Sequence, residues 1–139
     1  MNKKSFVCGL DEIGEVASFV LKALKNGGII LLQGDLASGK TTFVKSFAKE
    51  IGIEDEVSSP TFSIMNSYKN WLFHYDIYQS GLKGFLQQGL LEEFSKEGIH
   101  MVEWGDEEFE KVLKSTGFEY IKIKITPFKN MRKYEVYYA

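Results

Sequence analysis

Arginine is almost missing from this chain. Of the seventeen basic residues among its 139, sixteen are lysine, and Arg132 is the only arginine. Arginine is the usual bidentate phosphate clamp and the usual mobile cation in phosphoryl transfer, so the chain has little of that chemistry to offer. Cysteine is equally scarce. Cys8 stands alone, which excludes an internal disulfide and a cysteine-rich zinc site and fits a reducing compartment. His74 and His100 have no ligand companions at useful spacing, so no zinc site is expected; both read as core histidines. No apolar stretch approaches the roughly 20 residues of a membrane span. The opening MNKKSFVCGLDEIGEV has no sustained apolar segment and no small-residue cleavage site, so a cytoplasmic protein without membrane contact is expected. A net charge of −2 gives no global positive field and argues against tight, independent nucleic-acid binding.

What is present reads as one α/β domain over residues 1–139, with a mixed parallel and antiparallel sheet flanked by helices. KSFVC is a short strand. Ile13, Val16, Val20, Leu21 and Leu24 recur at helical spacing, with Asp11 and Glu12 suited to the first turn and Gly27-Gly28 after the end. IILLQ is a continuous apolar run, as expected of a buried central strand. TTFVKSFAKEIG is a second helix with Phe43, Val44, Phe47 and Ile51 on one face. Two strands flank NSYKN as an antiparallel hairpin. GLKGFLQQGLLEEFSKEG is helical but broken by Gly84 and Gly89. IHMVEW is an apolar strand, DEEFEKVLKST a short helix, and YIKIKIT and KYEVYY alternate with period two, as edge strands do.

Between IILLQ and the second helix lies GDLASGKTT, in which Gly34, Gly39, Lys40 and Thr41 satisfy GxxxxGK[ST]. Backbone N–H groups of such a loop surround phosphates, and the following helix adds its positive N-terminal end. The lysine reaches the β and γ phosphates and the hydroxyl binds Mg²⁺. The strand before and the helix after are the context this motif needs, and a plain glycine-rich turn explains neither the spacing nor the flanks.

Such a site needs a carboxylate at the end of a nearby strand. Glu103 closes IHMVE, and Asp76 sits in FHYDIY. A charge in so apolar a strand needs a partner. The choices are a lysine salt bridge, or Glu103 as a Mg²⁺ ligand with Asp76 orienting or deprotonating attacking water. SSPTF, from Ser58 to Phe62, is either a γ-phosphate-sensing segment or a strand-entry turn.

GDLASGKTT, SPTF, HYDIY and VEWG, in that order and at these separations, resemble the TsaE family. These are small bacterial P-loop ATPases that serve threonylcarbamoyladenosine synthesis at position 37 of certain tRNAs. The resemblance covers most of the chain. It implies ATP and Mg²⁺ as cofactors, with the triphosphate held by Asp35, Leu36, Ala37, Ser38, Gly39, Lys40, Thr41 and Thr42. It implies Thr41 and Glu103 as Mg²⁺ ligands, Asp76 and Lys40 in catalysis, Trp104 as a functional tryptophan beside the Glu, and Ser59, Pro60 and Thr61 as a switch-like segment. Arg132 falls where the family often has a basic residue before the last strand, at the nucleotide, and the region from Cys8 to Asp11 falls near the base. The chain departs from the family in having Ala37-Ser38 where Gly-Ala is usual, Gln79 in place of an arginine, and Ile13 in place of a threonine.

The resemblance further implies docking on a TsaD–TsaB heterodimer, which carries out the transfer to adenosine and is reset by ATP hydrolysis, so tRNA is met only indirectly. The arginine shortage predicts slow hydrolysis by the chain alone. A small-molecule kinase is the alternative, although no basic, arginine-bearing lid is visible; a non-catalytic nucleotide sensor is another. Asn-Lys-x-Asp, the usual guanine-reading signature, is absent. Trp71, Tyr78, Tyr137 and Tyr138 are candidate docking anchors.

Overall fold

The structure, a computed structural model, describes residues 1–35, 37–58 and 64–139. Among the described residues, seven strands form one sheet in the order β1-β7-β6-β2-β5-β4-β3. They are β1 (Asn2–Cys8), β2 (Gly28–Gln33), β3 (Met65–Tyr68), β4 (Leu72–Asp76), β5 (Ile99–Glu103), β6 (Tyr120–Phe128) and β7 (Met131–Tyr138). The helices are α1 (Ile13–Leu24), α2 (Lys40–Glu50), α3 (Gly81–Gln87) and α4 (Glu107–Thr116). β2 pairs in parallel with β5 and β6, and β4 in parallel with β5. The outer pairs β1/β7, β6/β7 and β3/β4 are antiparallel.

The apolar run of β2 follows from its place at the centre. Ile29 to Leu32 are all buried, because successive side chains point to opposite faces and both faces are covered. Ile30 and Leu32 join the core that α1 and α2 close with Val16, Val20, Phe43 and Phe47. Ile29 and Leu31 join the opposite core, closed by Phe85 of α3 and by Phe109 and Leu113 of α4. In that second core the Tyr75 hydroxyl donates to His100 Nδ1 at 2.7 Å, and His100 Nε2 donates to the Lys96 carbonyl at 2.9 Å. Burial pushes the His100 pKa down, and the ring stacks on Phe73 at 4.5 Å. His100 is thus a satisfied core histidine, as the sequence predicts.

Four local expectations are corrected. β6 and β7 are interior strands, and β1 and β3 hold the sheet's edges. The period-two lysines do not mark an edge: Lys122 reaches Glu110 at 3.3 Å, while Ile121, Ile123 and Ile125 are buried. The hairpin turn runs through Lys69, Asn70 and Trp71 between the paired Tyr68 and Leu72, with Lys69 and Asn70 both at positive φ, so Asn66, Ser67 and Tyr68 lie in strand β3. Gly84 does not break α3; the interruption comes at Gly89, in the left-handed region at φ 72, after which Leu90–Ser95 form a 3-10 turn. Asp11 and Glu12 sit in a separate 3-10 turn before α1.

Gly98 sets the start of the parallel strands. Its carbonyl accepts from Gly28 N–H at 3.0 Å, and the next residue, Ile99, donates to Trp71 O at 2.8 Å. At φ +128 an added Cβ would stand 2.2 Å from the Trp71 carbonyl oxygen. Gly98→Ala is therefore expected to destabilise the fold by about 2 kcal/mol, read as a lower urea midpoint at unchanged slope.

Candidate nucleotide-binding site

β2 delivers the chain to residue 34, and α2 begins at Lys40. Gly39 caps that helix in a left-handed conformation, φ 104, and a Cβ there would meet Arg132 Nη1 at 2.5 Å. Glycine is thus required both by dihedral and by space. Ala37 also turns left-handed, at φ 60. This is the position where the family resemblance expects glycine, and an alanine there carries about 1–2 kcal/mol of backbone strain. Lys40 is buried, and its Nζ donates to the carbonyls of Gly34 at 2.7 Å and Asp35 at 2.9 Å, and to Ser38 Oγ at 3.4 Å. Burial pushes the Lys40 pKa down, against the opposing pull of Glu103, Asp76 and Asp35.

The acidic half comes from two adjacent strands. Asp76 and Glu103 are register partners at the carboxyl ends of β4 and β5. Thr41 Oγ1 donates to the Glu103 carboxylate, at 2.9 Å to Oε2 and 3.1 Å to Oε1. His74 Nε2 lies 2.5 Å from the same Oε2, and both residues are buried. Asp76 Oδ1 accepts from the Tyr78 N–H at 3.0 Å. Among the described residues Glu103 makes no lysine salt bridge; its carboxylate meets Thr41 and His74 instead.

Trp104 follows Glu103 in a left-handed conformation, φ 71. That turn lays its indole over Lys40, with Nζ 3.9 Å from the ring centroid, a cation–π contact. The Tyr78 ring packs at a tilt against the same indole, with ring centroids 4.6 Å apart. Behind the loop, Gln33 Nε2 donates to the Gly105 carbonyl at 2.8 Å and to Glu110 at 3.2 Å, tying the strand before the loop to the turn after Glu103. Glu110 also accepts from Tyr120 at 2.8 Å. These donors and Lys122 hold its carboxyl below the ordinary value despite burial.

A cleft of about 280 Å³ is lined by Ala37 to Thr42, Asp76, Glu103, Trp104 and Arg132. The structure therefore brings together Ala37, Ser38, Gly39, Lys40, Thr41, Thr42, Asp76, Glu103, Trp104 and Arg132, as the sequence reading groups them. Arg132 lies inside β7, not before it, and its Nη2 donates to Ala37 O at 3.4 Å. A neighbouring cleft of about 290 Å³ shares Ala37 and Arg132 and extends past Cys8, Gly9 and Leu10. Asp35 lies outside the first cleft and lines a third one with Gln33, Trp104 and Asp106. Leu36, Ser59, Pro60 and Thr61 lie outside the described residues. Of the candidate docking aromatics, Trp71 and Tyr78 are exposed, whereas Tyr138 packs edge-on against Phe19 and Tyr137 lies under Lys122.

Sequence reasoning missed His74 as part of the site and left it in the core. The available signal is period two: His74 lies two residues before Asp76 on the same face of β4.

The TsaE family model, "Threonylcarbamoyl adenosine biosynthesis protein TsaE", matches residues 9–134. The chain belongs to the TsaE family. It is 34% identical over 137 residues to the tRNA threonylcarbamoyladenosine biosynthesis protein TsaE of Bacillus subtilis, covering 91% of this chain and 85% of that one. It is 39% identical over 88 residues to the protein of the same name from Treponema pallidum, covering 61% of this chain and 65% of that one. The crystal structure of Bacillus subtilis YdiB superposes with a TM-score of 0.72 at 28% identity, over 97% of this chain and 84% of that one. The TsaE fold seen here is of the P-loop NTPase type, a mixed sheet with helices on both faces, and it suits a nucleotide hydrolase in general.

Within this TsaE site the oxygen donors fit a hard divalent cation. Thr41 Oγ1 and the Glu103 carboxylate already lie within hydrogen-bond distance of each other at the cleft. Mg²⁺ typically takes one or two such protein oxygens and completes its shell with phosphate and water. Among the described residues no group of three or more His, Cys, Asp or Glu side chains forms a self-sufficient metal cage.

Proposed function

We propose that this chain binds ATP with Mg²⁺ and hydrolyses it as an accessory subunit of tRNA threonylcarbamoyladenosine synthesis. In this reading it works in the cytoplasm, turns over slowly alone, depends on a TsaD–TsaB heterodimer and meets tRNA only indirectly. The observation that carries the reading is the convergence of Lys40, Thr41, Glu103 and Asp76 on one cleft at the carboxyl ends of β2, β4 and β5. In parallel sheets that end is where ligands bind.

Each residue has a distinct task there. Lys40 exchanges its bonds to the loop carbonyls for phosphate oxygens, which are better acceptors for an ammonium. The start of α2 adds its dipole and free N–H groups. Thr41 and Glu103 would hold Mg²⁺, whose charge offsets that of the triphosphate. Asp76, beside Glu103 and partly exposed, orients or deprotonates the attacking water. Arg132, anchored on the loop at Ala37, is placed to meet the nucleotide, and the cleft running toward Cys8 and Leu10 has room for its nucleoside end.

The test is phosphate release from ATP with no acceptor added. Asp76→Asn is expected to slow release at least ~10-fold while the affinity for a fluorescent ATP analogue stays within about 2-fold. A phosphorylated small-molecule product, with no free phosphate, would replace this reading with a kinase. An Asp76→Asn chain that still supports tRNA modification in full would reduce it to a nucleotide sensor.

A further inference from the structure

We infer that His74 is a positioning residue for Glu103, fixing the carboxylate that is to hold the divalent cation. The inference rests on the metal and nucleotide reading of the cleft and goes beyond it by assigning a residue outside the cleft lining.

His74 is fully buried on the α2 side of β4, two residues before Asp76. Its Nε2 stands 2.5 Å from Glu103 Oε2, on the neighbouring parallel strand. The other ring nitrogen, Nδ1, is buried and has no hydrogen-bond partner among the described residues. A carboxylate can only accept, so the tautomer carrying hydrogen on Nε2 is the one that fits. It leaves Nδ1 as a bare acceptor, which is the cheaper nitrogen to leave unpaired.

The packing explanation is weaker than it first looks. Tyr75 and Leu72 nearby show that this strand buries apolar and aromatic groups readily. An imidazole with half its hydrogen-bonding capacity unused costs more there than a hydrocarbon of equal size. What the imidazole adds is one donor aimed at one oxygen. Thr41 Oγ1 reaches the same carboxylate from the other side, and when that hydroxyl turns toward a cation, Nε2–H keeps Glu103 from rotating with it. Outer hydrogen bonds of this kind orient metal ligands and are typically worth about 10- to 100-fold in metal affinity.

Two amides separate donor from shape. A glutamine at this position carries its N–H close to where Nε2 stands; an asparagine carries it near Nδ1, short of Glu103. Mn²⁺ affinity is measured by electron paramagnetic resonance on each full chain loaded with a non-hydrolysable ATP analogue, with metal-free analogue affinity and the thermal transition as controls. His74→Asn is expected to weaken Mn²⁺ binding about 10- to 100-fold, and His74→Gln less than about 3-fold, with analogue affinity alike in all three. Equal Mn²⁺ affinity in wild type and both variants overturns the assignment, and so does equal weakening in both, which would mark a packing role. Failure of the wild-type chain to retain Mn²⁺ with the analogue would instead overturn the metal reading on which the assignment stands.

Discussion

Lys40→Ala is expected to lower ATP turnover by about 10²–10³-fold. The ammonium sits 2.7 Å from Gly34 O and 2.9 Å from Asp35 O, so the loop already wraps it and little rearrangement separates it from a bound phosphate. Its surroundings are dry enough to push its pKa down by burial, yet Glu103, Asp76 and Asp35 pull the other way. A cation held at low hydration is worth more to a developing negative charge than one in water. Alanine removes that charge and also the contact with the Trp104 indole at 3.9 Å. The fold should survive, because the apolar anchors of α2 are Phe43, Val44 and Phe47. The checking measurement is steady-state phosphate release at saturating ATP, with circular dichroism to confirm the fold. Turnover within ~3-fold of wild type would remove Lys40 from the chemistry.

The second large effect is partner dependence. Purified chain is expected to turn over well below the ~10 s⁻¹ of a median enzyme, and to rise by about 10³-fold or more when the TsaD–TsaB heterodimer is added. The physical reason is the single arginine. Arg132 is tethered to the loop, donating to Ala37 O at 3.4 Å, where it would meet bound nucleotide but not swing in as a mobile cation, and the other basic side chains are lysines and two histidines. Lysine presents a strongly hydrated point charge where arginine presents a planar fork matched to phosphate. A mobile arginine or an equivalent rearrangement must then come from outside. Steady-state release with and without the heterodimer decides the matter: fast turnover alone, or no response to the heterodimer, defeats the prediction.

Much of the candidate site is legible in the residues because its demands are local. A strand buried on both faces must be apolar throughout, which marked Ile29 to Leu32; a left-handed cap must be glycine, which marked Gly39; and a carboxylate closing an apolar strand marked Glu103. His74 was not legible in the same way. On a strand covered on both faces, a histidine between Phe73 and Tyr75 looks like core, and only the partner strand reveals that its face is the one carrying Glu103. The hairpin was misplaced for a related reason. Lys69 and Asn70 take left-handed conformations without a glycine to announce them. Strands β6 and β7 were read as edges because Lys122 and Lys124 alternate with isoleucines, yet Lys122 is drawn to Glu110 of α4, a contact between distant segments that no local pattern encodes.

One consequence of the sheet order reaches beyond any single residue. The loop proposed to hold phosphate follows β2 and Glu103 closes β5, and these strands are direct neighbours running the same way, with Leu32 opposite Glu103. Their separation is thus fixed by one ladder of main-chain hydrogen bonds, although about sixty positions of chain lie between the loop and the acid. The loop joining β3 to β4 and the short α3, which carry none of the residues assigned to the cleft, are free to be resized, spliced or decorated in descendants of this chain. The candidate site would keep its dimensions throughout.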